Sequence, residues 1–160
     1  MNSTRNDMKA ALRGQMVDLL NVSLAELIDL GLQTKQAHWN VKGPNFIGLH
    51  ELFDELTDSL HGLADTVAER ATALGGTALG TVQNVAETSE LTPYPIKLKG
   101  GAQHVKALAM ALATCGGRVR KAIDVAAKAG DAGTADVFTE VSRALDKHLW
   151  FIEAHTQAKD

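Results

Sequence analysis

Apolar residues recur along this chain every three or four positions, in four long blocks. The first carries Leu12, Met16, Leu20, Leu24, Leu27, Ile28 and Leu32. That spacing lines one face of an α-helix and predicts an amphipathic helix from about residue 6 to 40. Asn6 and Asp7 are of the residue types that cap a helix N-terminus. Val41-Lys42-Gly43-Pro44 breaks the pattern, and Asn45 is placed to cap a second helix. Leu49, Leu52, Phe53, Leu56, Leu60, Leu63 and Val67 form its apolar side, and Gly75-Gly76 ends it. A third long helix is expected over 101–129 and a fourth from 134 to about 156, with the turn at 130–133 between them.

The connections choose the architecture. A break of a few residues forces each flanking pair of helices to run antiparallel. Residues 77–99 are polar or small, with Pro93-Tyr94-Pro95 near their end and room for a short helix at 82–87. Extended, that stretch spans roughly 75 Å, enough to return along a helix of about 45 Å. An up-down-up-down bundle needs no such link. Short, long, short connections predict an all-α, ferritin-like four-helix bundle, with a long crossover between helices two and three carrying the extra helix.

Composition narrows the class. At 160 residues the chain is one domain's worth, 1–160, and can bury a single core. Only 4% is aromatic and alanine is abundant, which favours close-packed helices over a sheet. A net charge of −3 offers no general attraction to nucleic acid. Cys115 is the single cysteine, so no internal disulfide can form and a reducing compartment is the default. No apolar run reaches the roughly 20 residues of a membrane span, and the N-terminus lacks the apolar core of a signal peptide. A soluble, cytoplasmic protein with no membrane partner is the expectation.

The chemistry concentrates on the second helix. His50 and Asp54 are four apart, Asp65 and Glu69 are four apart, and eleven residues separate Asp54 from Asp65. At about 100° per residue, these four side chains fall on one stripe. Imidazole and carboxylate are ligand types that suit iron, manganese and zinc. A solvated polar face is the ordinary alternative, but such a face usually carries lysines. Between Lys42 and Arg70 there is no lysine or arginine. Unrelieved negative charge along this length calls for cations.

The two half-sites cannot meet within one chain. Asp54 and Asp65 stand about 17 Å apart along the axis, whereas ligands of one metal converge within a few ångströms. A second, antiparallel copy across a two-fold axis resolves this, because Asp54 then faces the partner's Asp65 and His50 the partner's Glu69. His38, in the last turn of the first helix, lies within reach of His50 and Asp54 and adds a third ligand.

Other residues carry less. Asp58-x-x-His61 resembles a metal pair at one-turn spacing on the same stripe, and is read as a dimer-interface or accessory site. Close helix approach accounts for Gly116-Gly117, each costing about 1 kcal/mol against alanine within a helix. Cys115 reads as a small buried apolar residue. His104, His148 and His155 lack a partner carboxylate motif, and Trp150 and Phe151 read as core. Trp39, beside His38, is either packing or an electron donor to nearby oxidation chemistry.

These residues together resemble the Dps family, the DNA-protection-during-starvation mini-ferritins. The matching segments are TKQAHWNVKGPNF at 34–46, the His50–Asp54 pair, DTVAERATALGGTALGT at 65–81, YP at 94–95, RKAI at 120–123 and TADVFTEVSRALDKHLWFIEA at 134–154. No Glu-x-x-His, the ligand motif of the ordinary ferritin core, occurs. The resemblance implies a hollow homododecamer built from two-fold dimers. It implies a ferroxidase with His38, His50 and Asp54 from one subunit and Asp65 and Glu69 from its partner. Fe(II) and hydrogen peroxide are the implied substrates, dioxygen the slower oxidant, with Glu69 bridging a di-iron Fe(II)/Fe(III) pair and ferric mineral stored inside. Zinc or manganese could substitute by ligand type. Trp39 becomes a candidate to quench a stray oxidising equivalent, and Asp131, Asp136 and Glu140 candidates to line an acidic entry pore. Against the family's name, Arg5 and Lys9 bracket Asp7 near the N-terminus, and Lys159 sits beside Asp160 at the C-terminus. DNA binding is therefore expected to be weak or absent. A nucleoid-compacting, DNA-binding structural protein with a secondary metal site is the competing reading.

Overall fold

The computed structural model describes residues 1–157, which hold five helices and no strand: α1 (Ala10–Asn40), α2 (Phe46–Ala73), α3 (Val82–Thr88), α4 (Gly101–Ala129) and α5 (Ala132–Gln157). α1 and α2 form one antiparallel hairpin, and α4 and α5 a second. The N-terminal turn of α1 meets the end of α2, where the buried Arg13 guanidinium donates to the Leu74 carbonyl at 2.9 Å. Beyond α2 the chain climbs back along the bundle, and Gly101 N donates to Lys42 O at the far end, 3.2 Å. α4 therefore starts where α1 finishes. This is the one-crossover order expected from the connection lengths.

The core follows the apolar stripes. Met16, Leu20, Leu27 and Leu30 of α1 face Phe53, Leu56 and Leu60 of α2, and Leu108, Leu112, Phe138 and Leu145 close the other side. Burying a side chain of this kind stabilises by about 1.5–3 kcal/mol. Two of the tightest approaches involve glycine. A Cβ on Gly101 would stand 2.6 Å from Leu49 Cδ1, and one on Gly76 would stand 2.4 Å and 2.6 Å from the Val17 methyls. Gly76→Ala is expected to destabilise by about 1–3 kcal/mol, the ordinary cost of overpacking. Thermal unfolding of variant and parent would measure it, and an unchanged midpoint would mean that Val17 moves aside freely.

Several local expectations change in three dimensions. α1 begins at Ala10, not near residue 6, and neither Asn6 nor Asp7 caps it. The Asn6 side chain instead accepts the Met8 amide at 3.0 Å, while Asn2 N donates to Gly75 O at 2.6 Å. A short polar side chain satisfied by nearby backbone competes with helix, so this segment straps over the end of α2. Asn45 precedes α2 without a side-chain cap bond. Trp150 is 61% exposed, because the inward face of α5 runs through Leu145 and Ile152; Phe151 is half-buried. α4 runs unbroken through Gly116 and Gly117, and a Cβ on Gly117 would meet nothing within 4 Å. At Gly116 a Cβ would meet Arg120 at 3.5 Å and Asp146 of α5 at 3.8 Å, ordinary contact distances, so no approach among the described residues requires glycine at either position. Cys115 is buried in the core, and burial pushes its thiol up to about 12, as suits an inert packing residue.

Candidate metal centre

The short α1–α2 turn brings the last turn of one helix against the first turns of the next. His38 and His50 meet there with their rings stacked, centroids 3.7 Å apart and planes 22° from parallel. Each ring bonds the other residue's backbone. His38 Nδ1 donates to His50 O at 2.8 Å, and His50 Nδ1 donates to His38 O at 2.9 Å. A carbonyl can only accept, so both Nδ1 atoms carry the proton. In the neutral ring this leaves the Nε2 lone pair available, and neither Nε2 is an orphaned buried atom. A ring nitrogen tied to a carbonyl with its opposite nitrogen free is how proteins orient metal-binding imidazoles.

Asp54 lies one turn beyond His50, its Oδ1 3.8 Å from His38 Nδ1. Lys35, one turn before His38, holds the same carboxylate oxygen. The hydrogen bond from Lys35, helped by nearby positive charge, keeps the Asp54 carboxyl below its ordinary value of 3.8. An incoming cation would displace that ammonium. Sequence reasoning missed Lys35, although its spacing of three from His38 places both on one face of α1.

The remaining expected ligands stand apart. Asp65 and Glu69 are exposed on the same stripe of α2, about three turns further along. Among the described residues, no three His, Cys, Asp or Glu side chains converge as a group that could hold a metal. The chain carries two incomplete constellations. Trp39 is 67% exposed beside His38.

The pore candidates divide. Asp131 is buried: it accepts the Thr134 amide at 3.0 Å and a bond from Arg70 at 2.7 Å. Those bonds from Thr134 and the Arg70 charge outweigh burial and hold its carboxyl below 3.8. It caps α5 and ties it to α2, whereas Asp136 and Glu140 are exposed. Elsewhere, buried His104 takes a 2.6 Å bond with the Tyr94 hydroxyl, and His148 meets Ser59 at 2.9 Å. Burial lowers both imidazoles below 6.5. His155 is exposed. No described helix is long and apolar enough to cross a membrane.

A one-crossover bundle with clustered histidines and a carboxylate on its first hairpin is a ferritin-like protein, and the ferritin-like domain model matches residues 17–159. The DNA protection during starvation protein of Agrobacterium fabrum is 48% identical over 158 residues, covering 99% of this chain and 98% of that one. Its Brevibacillus brevis namesake is 34% identical, covering 92% and 98%. The Mycobacterium smegmatis Dps structure superposes with a TM-score of 0.93 at 30% identity, covering 98% of this chain and 96% of that one. Within the ferritin-like proteins, this chain belongs to the Dps family. Iron handling and DNA protection are the family's activities in general terms.

Proposed function

We propose that two copies of this chain pair antiparallel along α2 and oxidise Fe(II) at sites that neither copy completes alone. His38, His50 and Asp54 of one copy and the partner's Asp65 and Glu69 form each site. The supporting observation is the half-built centre. Two imidazoles are locked with Nδ1 on carbonyls and Nε2 free, beside an ionised carboxylate. The carboxylates that would finish the set are stranded on the same helix, about 17 Å away.

Iron is substrate and cargo. Two Fe(II) ions each give one electron to hydrogen peroxide; its O–O bond breaks, and two protons complete two molecules of water. Delivering both electrons at one place avoids releasing hydroxyl radical, and Glu69 is positioned to bridge the pair. Dioxygen is the slower oxidant. Trp39, exposed beside His38, serves as donor to a stray oxidising equivalent. Ferric product accumulates as mineral inside a hollow dodecamer in the cytoplasm, with Asp136 and Glu140 as the remaining acidic candidates for iron entry. Zinc and manganese suit the same ligand types and act as competitors.

DNA is protected by removing iron and peroxide rather than by tight binding. Arg5 and Lys9 flank Asp7 on the segment that Asn2 ties to Gly75. Lys159 and Asp160 lie outside the described residues. Stopped-flow Fe(II) oxidation on gel-filtered protein tests the proposal. Peroxide should consume two Fe(II) per molecule, faster than dioxygen does, and stoichiometric release of hydroxyl radical would refute it.

A further inference from the structure

Two residues at the middle of the α2 stripe remain once the five ligands are placed. Asp58 and His61 stand one turn apart at its middle, both exposed. Among the described residues, neither enters an ion pair or a side-chain hydrogen bond. His61 lies over α1 at Gly31, where a Cβ would stand 3.5 Å from its Cδ2 and 3.6 Å from its Nε2.

The pairing that sets Asp54 against the partner's Asp65 puts the two-fold axis midway between positions 59 and 60. Asp58 is then level with the partner's His61, and His61 with the partner's Asp58. All four side chains fall within about 5 Å along the axis. At about 100° per residue, Asp58 and His61 sit about 30° to either side of the stripe's centre line, on the face that the pairing turns toward the partner; the His61 ring, resting over Gly31, reaches the partner by rotating about its side-chain bonds. Helices packed about 8–10 Å apart leave a gap that imidazole and carboxylate arms can bridge from both sides.

The charge balance favours a cation there. α2 carries six carboxylates, Glu51, Asp54, Glu55, Asp58, Asp65 and Glu69, and no lysine or arginine before Arg70. Of these, only Asp54 is ion-paired within the described residues. Two Asp58 side chains brought together across an axis repel unless positive charge lies between them.

The geometry points to an additional metal site on the two-fold axis, one per dimer, with Asp58 and His61 from each copy as its ligands. Two imidazoles and two carboxylates make a four-coordinate set for one divalent ion of the zinc and cobalt class. This site rests on the antiparallel pairing proposed above, but it is chemically separate from the iron-oxidising centres. Each of those lies about 8 Å away along the helix. Its role is to clamp the seam.

Anaerobic titration of the assembled protein with Co(II) tests it, because four-coordinate Co(II) absorbs far more strongly in the visible than six-coordinate Co(II). An intense band should saturate at about half an equivalent per chain, the stoichiometry of a site on a two-fold axis. It should persist in His50→Ala and vanish in His61→Gln and in Asp58→Asn. His61→Gln should keep the parental rate of Fe(II) oxidation. Saturation at a full equivalent, or a band surviving in His61→Gln, overturns the site. If no band forms while shells mixed from His50 and Asp65 variants are active, the seam exists but Asp58 and the partner's His61 form a direct ion pair; this site alone fails. If the mixed shells are inactive, the pairing itself fails and takes the site with it.

Discussion

Oligomers co-assembled from equal amounts of a His50→Ala chain and an Asp65→Asn chain should recover about a quarter of the parental rate of peroxide-driven Fe(II) oxidation. Each variant alone should lose at least about 100-fold, since even an outer-sphere partner of a metal ligand is worth about 10–100-fold. The recovery follows from counting sites. Random pairing makes half of the dimers mixed. In a mixed dimer, one site combines both lesions. The other joins an intact His50 to an intact Asp65 from the opposite copy, so a quarter of all sites are whole. Were all ligands drawn from one chain, mixing would restore nothing. Size-exclusion chromatography of each variant keeps the result interpretable, because loss of assembly would also abolish activity. Asp65 is exposed, so Asp65→Asn should leave the fold intact.

The largest stability effect is expected at a buried ion pair remote from the metal centre. Glu26 is 1% exposed within α1 and is held by Arg118 of α4, which also reaches the exposed Glu90 at 3.0 Å. Burial raises the Glu26 carboxyl above its ordinary 4.5, and Arg118 only partly offsets this. Arg118→Met leaves a buried carboxylate without its counter-charge. The expected loss is about 3 kcal/mol, the low end for a broken buried pair because Arg118 is itself partly exposed. A chain of this size should then melt lower by roughly 10 °C. Glu26→Leu combined with Arg118→Met should return most of that stability, since an apolar pair avoids the desolvation that the ions suffer.

The pH dependence has a definite sign. A carboxyl whose folded value is raised is stabilising while protonated, and that stability is lost as pH rises through the folded value. Removing Arg118 raises Glu26 further. Variant and parent should therefore differ least below about pH 4.5 and most near neutrality. Thermal unfolding from pH 4 to 8 measures the gap, and a constant gap would mean that Glu26 is not the group responsible.

Much of the bundle was legible because its determinants are local. The period of Leu49, Phe53, Leu56, Leu60 and Leu63 specifies a buried face whatever it packs against, Gly75-Gly76 marks where α2 stops, and Pro93-Tyr94-Pro95 falls in the link before α4. The wet side of α2 was equally legible: His50, Asp54, Asp65 and Glu69 share a stripe by helical geometry alone. Residues that depend on a neighbouring element were harder to read. Trp150 looked like core from its type, yet its position on α5 turns it to the surface. Asp131 was a candidate to line an entry pore, but it is buried against Arg70 of α2.

The order of helices, the crossover and the stripe of histidine and carboxylates on α2 were thus determined by the sequence alone, since periodicity, chain breaks and residue chemistry act within a few turns of one helix. The tautomer lock between His38 and His50, the hold of Lys35 on Asp54 and the burial of Asp131 were decided only by tertiary structure. Each needs side chains from two helices at hydrogen-bonding distance, and that depends on how the hairpins pack rather than on any spacing along the chain.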